Sequence, residues 1–341
     1  MGKIKMTFII IAAVLLAVIV FLLLANFVYK PKSLTSSLFI YFCKKGDTVR
    51  DAGLTTPEDI IRFDDIQYGS SPKWNVLDVY RPKSAEKAKL PVIVNVHGGG
   101  WVYGDKELYQ FYSMSLAQKG FAVVNYTYGL APKFHFPLPL KDLNAVMEFV
   151  FDNAEKYGLD TDNIFFAGDS AGANLATFYA CICTDENLAH HFESDFAEKE
   201  RFSVQKKFTP KAILLNCGIY DFYALSKEKN ALGFLTLNLA KDYLGKVFPS
   251  KKLLESTSPV NFINENYPPC FVMGANNDGL CAQIPLLTKK FDEKGVSYET
   301  KIYGTEEIPQ NHVFHCDIKN PVAIICNEEE IEFLKNKMDL H

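Results

Sequence analysis

The sequence has no Cys-x-x-Cys pair, although it carries eight cysteines, at 43, 181, 183, 217, 270, 281, 316 and 326. Several sit inside apolar runs and read as buried small hydrophobes rather than a disulfide framework. So many free thiols favour a reducing compartment. Cys181 and Cys183 lie two apart on an expected helix, on different faces, and make poor metal partners. His190 and His191, with Glu193 and Asp195, lack a second spaced cluster and read as a solvated insertion. No long run of one charge occurs. Lys and Arg number 36 against 40 Asp and Glu, for a net charge of −4, which leaves no footprint for nucleic acid. Nothing repeats at a fixed period and no segment is of low complexity, which excludes a repeat array. The glycine run "HGGGW" is neither G-x-G-x-x-G nor followed by Lys-Ser/Thr, so it does not cradle phosphate. No cofactor and no metal are expected.

One long hydrophobic run is present, at residues 7–28, "TFIIIAAVLLAVIVFLLLANFV", uncharged and with Asn26 its one strongly polar residue. Its length suits a bilayer crossing of about 20 residues. A secretory signal has a shorter apolar core and a small-x-small cleavage site, but Leu23 stands two places before Ala25. Met6 occupies the position where myristoylation wants Ser or Thr. Residues 1–30 are therefore expected to form an uncleaved transmembrane anchor. Lysines at 30, 32, 44 and 45 and Arg50 follow the run, while Lys3 and Lys5 precede it, which alone would keep the following side cytoplasmic. A tail of six residues, however, behaves as a signal-anchor, so export of the remainder is the expectation.

With 341 residues and 48% hydrophobic composition, the chain can bury a large core. Residues 31–60 read as a linker or N-terminal cap segment, with a short helix near "SSLFIYF". From 61 onward strands and helices alternate, the signature of a mostly parallel α/β sheet. Expected strands are "NVLDVYR", "PVIVNVHG", "AVVNYTY", "NIFFAG", "AILLNCGIY", "CFVMGAN" and "YETKIYG". Several are almost wholly apolar, as strands covered on both faces must be. A helix ending at Gly158 and another after residue 170 fall between them. Residues 186–209 and 223–258 break the alternation; segments this long read as helical insertions over one end of the sheet.

Between an expected strand and an expected helix lies "GDSAG", Gly168 to Gly172, which fits G-x-S-x-G. A strand-to-helix turn so sharp needs small neighbours and projects Ser170 beyond the sheet edge, where the helix N-terminus favours negative charge. Upstream, "HGGGW" follows a strand; its bare amides can converge on one oxygen. Gly98 and Gly99, with the N–H of Ala171, are the expected oxyanion hole, and His97 a structural residue. A serine hydroxyl needs a histidine base and a carboxylate to orient it, in the chain order Ser, acid, His. Asp278, in the turn "NNDG" after a strand, is the expected acid, with Asp221, Glu306 and Glu307 as alternatives. His312 in "PQNHVFHCD" is the expected base, with Phe314 packing beneath it and His315 the alternative.

"HGGGW" followed by "GDSAGANLA", with "YTYGLAPKFHFPLPLKD" between them, resembles the hormone-sensitive-lipase-like group of α/β-hydrolase esterases, which includes a membrane-anchored arylacetamide deacetylase. The resemblance runs from about residue 75 to the C-terminus. This sequence departs from the group at the acid, where Asp278-Gly279-Leu280 replaces Asp-Pro-Leu, and at the base, where "HVF" replaces His-Gly-Phe. The resemblance implies an α/β-hydrolase fold with a helical cap built from the N-terminal segment and insertions. It also implies metal-free hydrolysis of small-molecule esters with short or medium acyl or aryl groups. An amidase or deacetylase, an interfacial lipase, or a binding scaffold on the same frame are the competing readings.

Overall fold

The computed structural model describes residues 33–185, 187, 188, 204, 207–229 and 231–339, together with residues 6, 10, 11, 13–18, 20 and 21. Eight strands form one sheet: β1 (Ile60–Gln67), β2 (Val76–Pro82), β3 (Leu90–Val96), β4 (Ala122–Tyr126), β5 (Leu159–Asp169), β6 (Ala212–Asn216), β7 (Cys270–Ala275) and β8 (Tyr298–Tyr303). Their order is β1-β2-β4-β3-β5-β6-β7-β8. The pairs β1–β2 and β2–β4 are antiparallel and the others parallel. This is the α/β-hydrolase arrangement that the glycine motifs imply.

The apolar strands sit at the centre because both of their faces are covered. In β3, Val92, Val94 and Val96 enter one core while Ile93 enters the other. Phe166 and Phe165 of β5 divide in the same way, as the two-residue period of a strand requires. β1, absent from the expected strands, is an antiparallel edge strand. Its acids Asp64 and Asp65 are exposed, and Asp65 has φ 55° at a break in register between Phe63 and Ile66. An edge strand with a bulge hides its alternation.

The helices are α1 (Leu34–Asp51), α2 (Gln110–Ala117), α3 (Leu138–Asp152), α4 (Ala171–Thr184), α5 (Phe222–Leu225), α6 (Ala231–Leu244), α7 (Lys251–Ser256), α8 (Ile284–Lys294) and α9 (Pro321–Lys335). The helix expected to run to Gly158 breaks at Asn153; a further turn ends at Gly158, whose φ of 62° closes it. α5, α6 and α7 occupy the stretch set apart as an insertion. Most of 186–209, including His190, His191, Glu193 and Asp195, lies outside the described residues.

α1 and α6 form a roof over one end of the sheet. The Asp242 carboxylate of α6 accepts hydrogen bonds from the Ser33 and Ser36 hydroxyls at 2.8 and 2.6 Å, while Ser33 caps α1 by accepting the Ser36 N–H. Among the described residues no helix is long and apolar enough to cross a membrane. Of the expected span at 7–28, residues 7–9, 12, 19 and 22–28 lie outside them.

Candidate active site

β5 leads directly into Ser170, which has φ 51° and ψ −115°, and α4 begins at the next residue. A serine at positive φ is strained, and it persists because the surroundings fix it. A Cβ on Gly172 would collide with the Val96 carbonyl oxygen, and one on Gly168 would stand 2.7 Å from the Gly172 carbonyl carbon. The two glycines of G-x-S-x-G thus let α4 start hard against the ends of β3 and β5. The Ser170 N–H donates to Asn216 O at 2.8 Å, which pins the turn to β6.

Asp278 and His312 come from the loops after β7 and β8. Two asparagines join these loops: Asn276 Oδ1 accepts the Gln310 N–H at 2.8 Å, and Asn277 Nδ2 donates to Asn311 Oδ1 at 2.6 Å. Beyond aiming the Asp278 side chain from the end of β7, the asparagines of "NNDG" hold its loop beside the His312 loop. Asp278 Oδ1 accepts the Leu280 N–H at 2.9 Å, leaving Oδ2 to face His312 Nδ1 at 2.8 Å. His312 Nε2 lies 2.9 Å from Ser170 Oγ. A carboxylate only accepts, so Nδ1 carries the proton and the Nε2 lone pair faces the serine hydroxyl. Both separations are hydrogen-bond distances, and the second lies within reach for proton transfer from the serine.

The electrostatics follow from burial. The Asp278 side chain is 3% exposed, whereas the His312 ring keeps an edge open at 37%. Burial pushes Asp278 up, but the His312 hydrogen bond and charge, with the Leu280 N–H, bring it below the ordinary carboxylate value. Burial pulls His312 down, yet the hydrogen bond and charge of Asp278, and the charge of Asp169, leave it above the ordinary histidine value. Asp221, the alternative acid, instead caps α5 by accepting the Ala224 N–H. His315 is buried with its ring edge-on to Tyr112 and is pushed down to about 3 by burial. Phe314 packs its ring on Tyr303 and His315.

Val313, next to the base, has φ 53°. The His-Gly-Phe pattern of the resembled group places a glycine where this backbone needs a left-handed residue. Cys217, read as a buried hydrophobe, also has a positive φ of 51°, and its thiol sits beside Asp278 and is pushed far up by burial. Donor atoms of Cys217, Asp278 and His312 lie within 4.8 Å of one another, as do those of Asp169, His315 and Cys316. In the first trio Asp278 is hydrogen-bonded to His312, and in the second Asp169 is engaged by the glycine loop.

That engagement corrects the expected oxyanion hole. The Gly98 N–H donates to Asp169 Oδ1 at 3.1 Å and to the Tyr109 hydroxyl oxygen at 3.0 Å, and the Tyr109 hydroxyl donates to Asp169 Oδ2 at 2.9 Å. Gly98 is therefore not an open donor. It is the clamp of the loop, and a Cβ there would collide with the Asp169 carboxylate. Burial pushes Asp169 up to about 6, against the Tyr109 hydroxyl, the His312 charge and the Gly98 N–H. Sequence reasoning passed over Asp169 because nothing in "GDSAG" shows where the acid points.

The next two residues carry the bare amides. Gly99 and Gly100 have φ of 100° and 59°, and among the described residues their N–H groups have no protein acceptor. Ala171, first in α4, likewise has an N–H with no intrahelical partner. Trp101 follows at φ 61° and stacks on Tyr243 of α6 at 4.8 Å, which ties the loop to the roof. His97 braces the loop from below: its Nδ1–H donates to Gly98 O at 2.8 Å, its ring stacks on Tyr128 at 4.0 Å, and burial pushes it down to about 4.

Known proteins share this frame. The chain is 27% identical over 217 residues to esterase LipQ of Mycobacterium tuberculosis, covering 63% of this chain and 48% of that protein. It is 29% identical over 271 residues to arylacetamide deacetylase of Bos taurus, covering 78% and 61%. The chain thus spans about half to three fifths of the length of these relatives. Esterase B of Lactobacillus rhamnosis superposes with a TM-score of 0.78 at 25% identity, over 89% of this chain and 93% of that one. Residues 77–289, a range that holds Ser170 and Asp278 and stops short of His312, match BD-FAE. The chain belongs to the BD-FAE family.

Proposed function

We propose that this protein is a serine carboxylic-ester hydrolase. The observation that carries the reading is the relay from Asp278 through His312 to Ser170, with both links shorter than 3 Å, beside open amides at Gly99, Gly100 and Ala171. The esterases among its relatives and structural neighbours support it.

In this mechanism Ser170 Oγ attacks the ester carbonyl carbon as its proton passes to His312 Nε2. Asp278 steadies the imidazolium that forms. The carbonyl oxygen becomes an oxyanion received by the Gly99, Gly100 and Ala171 amides. Each such donor is worth roughly 10²–10³ in rate. Collapse expels the alcohol, which takes the proton from His312 and leaves an acyl group on Ser170. Water, deprotonated by His312, then attacks the acyl carbon and releases the acid. The substrates are small-molecule esters of short or medium acyl or aryl type. Similarity to an arylacetamide deacetylase supports amides as a second class, because His312 can protonate an amine leaving group equally well. The anchor at 7–28, with the catalytic part exported, completes the reading.

A chain-length series of aryl esters beside matched anilides, run on the wild type and on Ser170→Ala, His312→Ala and Asp278→Asn, tests it. Turnover that survives Ser170→Ala refutes the reading. Loss with His315→Ala but not His312→Ala refutes the base.

A further inference from the structure

The outward face of α1 has the wrong chemistry for water. At 100° per residue, Leu34, Leu38, Tyr41, Phe42, Lys45 and Val49 fall within an arc of about 100°. Tyr41, Phe42 and Val49 are 63%, 65% and 70% exposed, and Leu38 is 51% exposed. A helix packed on a globular core carries polar residues on that side. The inward face of α1 already has its contacts: Ser36 on Asp242, Phe39 and Ile40 against the core, and Tyr103 on Asp47. The helix is therefore apolar on two sides, and only one is buried by this chain's described residues. Its acids, Asp47 and Asp51, pair with Arg50, so the charges left to the outward side are those of Lys45, within the stripe, and Lys44, beside it. The α6 helix of the same roof exposes Phe234, and Phe248 stands exposed just beyond it among Lys246, Lys251 and Lys252.

We infer that the outward face of α1 lies in the interface of an anionic lipid bilayer, with Leu38, Tyr41 and Phe42 among the acyl chains and the lysines at the headgroups. Apolar and aromatic side chains beside lysines are the composition of interfacial helices. Position points the same way. Only residues 29–33 separate α1 from the uncharged run at 7–28, a reach of at most about 17 Å for extended chain. The inference thus rests on the proposed anchor, and it adds a substrate class. Phe39, on the other side of α1, would stand 3.4 Å from a Cβ on Gly100, so the helix that touches lipid also touches the oxyanion loop.

The test uses the full chain carrying Phe42→Trp, beside the wild type, on vesicles of phosphatidylcholine and phosphatidylserine. Flotation reports the anchor. Quenching by brominated lipid against acrylamide reports α1, independently of turnover. Flotation with the added tryptophan quenched by bromolipid and shielded from acrylamide is the expected result. Flotation with quenching by acrylamide alone overturns the docking and leaves the anchor standing. No flotation overturns both. Shielding from both quenchers that grows with protein concentration shows a second copy on the face and overturns the lipid assignment. In a second arm, Leu38→Glu/Phe42→Glu is expected to slow hydrolysis of a vesicle-dissolved ester several-fold while a water-soluble aryl ester is hydrolysed as before. Equal rates on both substrates contradict the substrate class.

Discussion

Asp169 Oδ1 lies 3.1 Å from the Gly98 nitrogen, so the residue before the nucleophile holds the first residue of the glycine loop. On the proposed reading, the carboxylate beside the nucleophile thereby also holds the loop that carries the oxyanion donors. Asp169→Ala is expected to lower kcat about tenfold to a hundredfold, the scale of one lost charged hydrogen bond, with KM little changed. It also removes a charge that raises the His312 pKa, so the acid limb of the rate profile should move to lower pH. An unchanged kcat and acid limb would show that the clamp has no part in placing the loop.

The pH profile itself follows from His312. The base works only when neutral, and its pKa is held above 6.5 by Asp278 despite burial. Activity should therefore fall with decreasing pH from a midpoint above that of free histidine. Asp278→Asn removes the support, so its residual activity should persist to lower pH while its maximum drops. Steady-state rates from pH 4 to 9 check both parts; an Asp278→Asn limb at the wild-type position would contradict the assignment.

Val313 holds φ 53° with a β-branched side chain. Val313→Gly is expected to stabilise the fold by roughly 1 kcal/mol, since relief of the backbone strain exceeds the entropy that glycine adds to the unfolded chain. Denaturant midpoints measure it, and a lowered midpoint would argue against strain at the base loop.

Glu330 of α9 is fully buried near Asn216, Tyr112 and Cys326, and burial pushes its pKa up to about 8. Its folded pKa exceeds the unfolded value of 4.5, so the folded state holds the extra proton between them. The stability this contributes is complete below 4.5 and is lost as pH rises through about 8. Glu330→Gln should flatten that decline in melting curves taken between pH 5 and 9. Parallel declines in the two proteins would place the alkaline loss elsewhere.

The sheet was legible in sequence at its apolar centre and at the exposed edge strand β8, but not at the other edge, β1. β3, β5, β6 and β7 announce themselves as apolar runs, but β1 carries Asp64 and Asp65 on an edge and bulges between Phe63 and Ile66. Ser170, Asp278 and His312 could be picked out because each follows a strand in the required order. Their mutual contacts are long-range, between strand ends that the sheet order brings together. Gly98, by contrast, was misassigned. Which of three adjacent amides stays open depends on Asp169 and Tyr109, residues 71 and 11 positions away. The inverted face of α1 was equally hidden, because its apolar stripe reads as core until the helix is seen to bury its other side.

The central claim is that Ser170 carries the acyl group. A stoichiometric fluorophosphonate label, followed by intact mass and peptide mapping, tests it most directly. One phosphonyl group per chain on the Ser170 peptide, absent from Ser170→Ala and slowed at least tenfold in His312→Ala, is the expected result. A wild-type chain that takes no label, or takes it on another residue, would contradict the account.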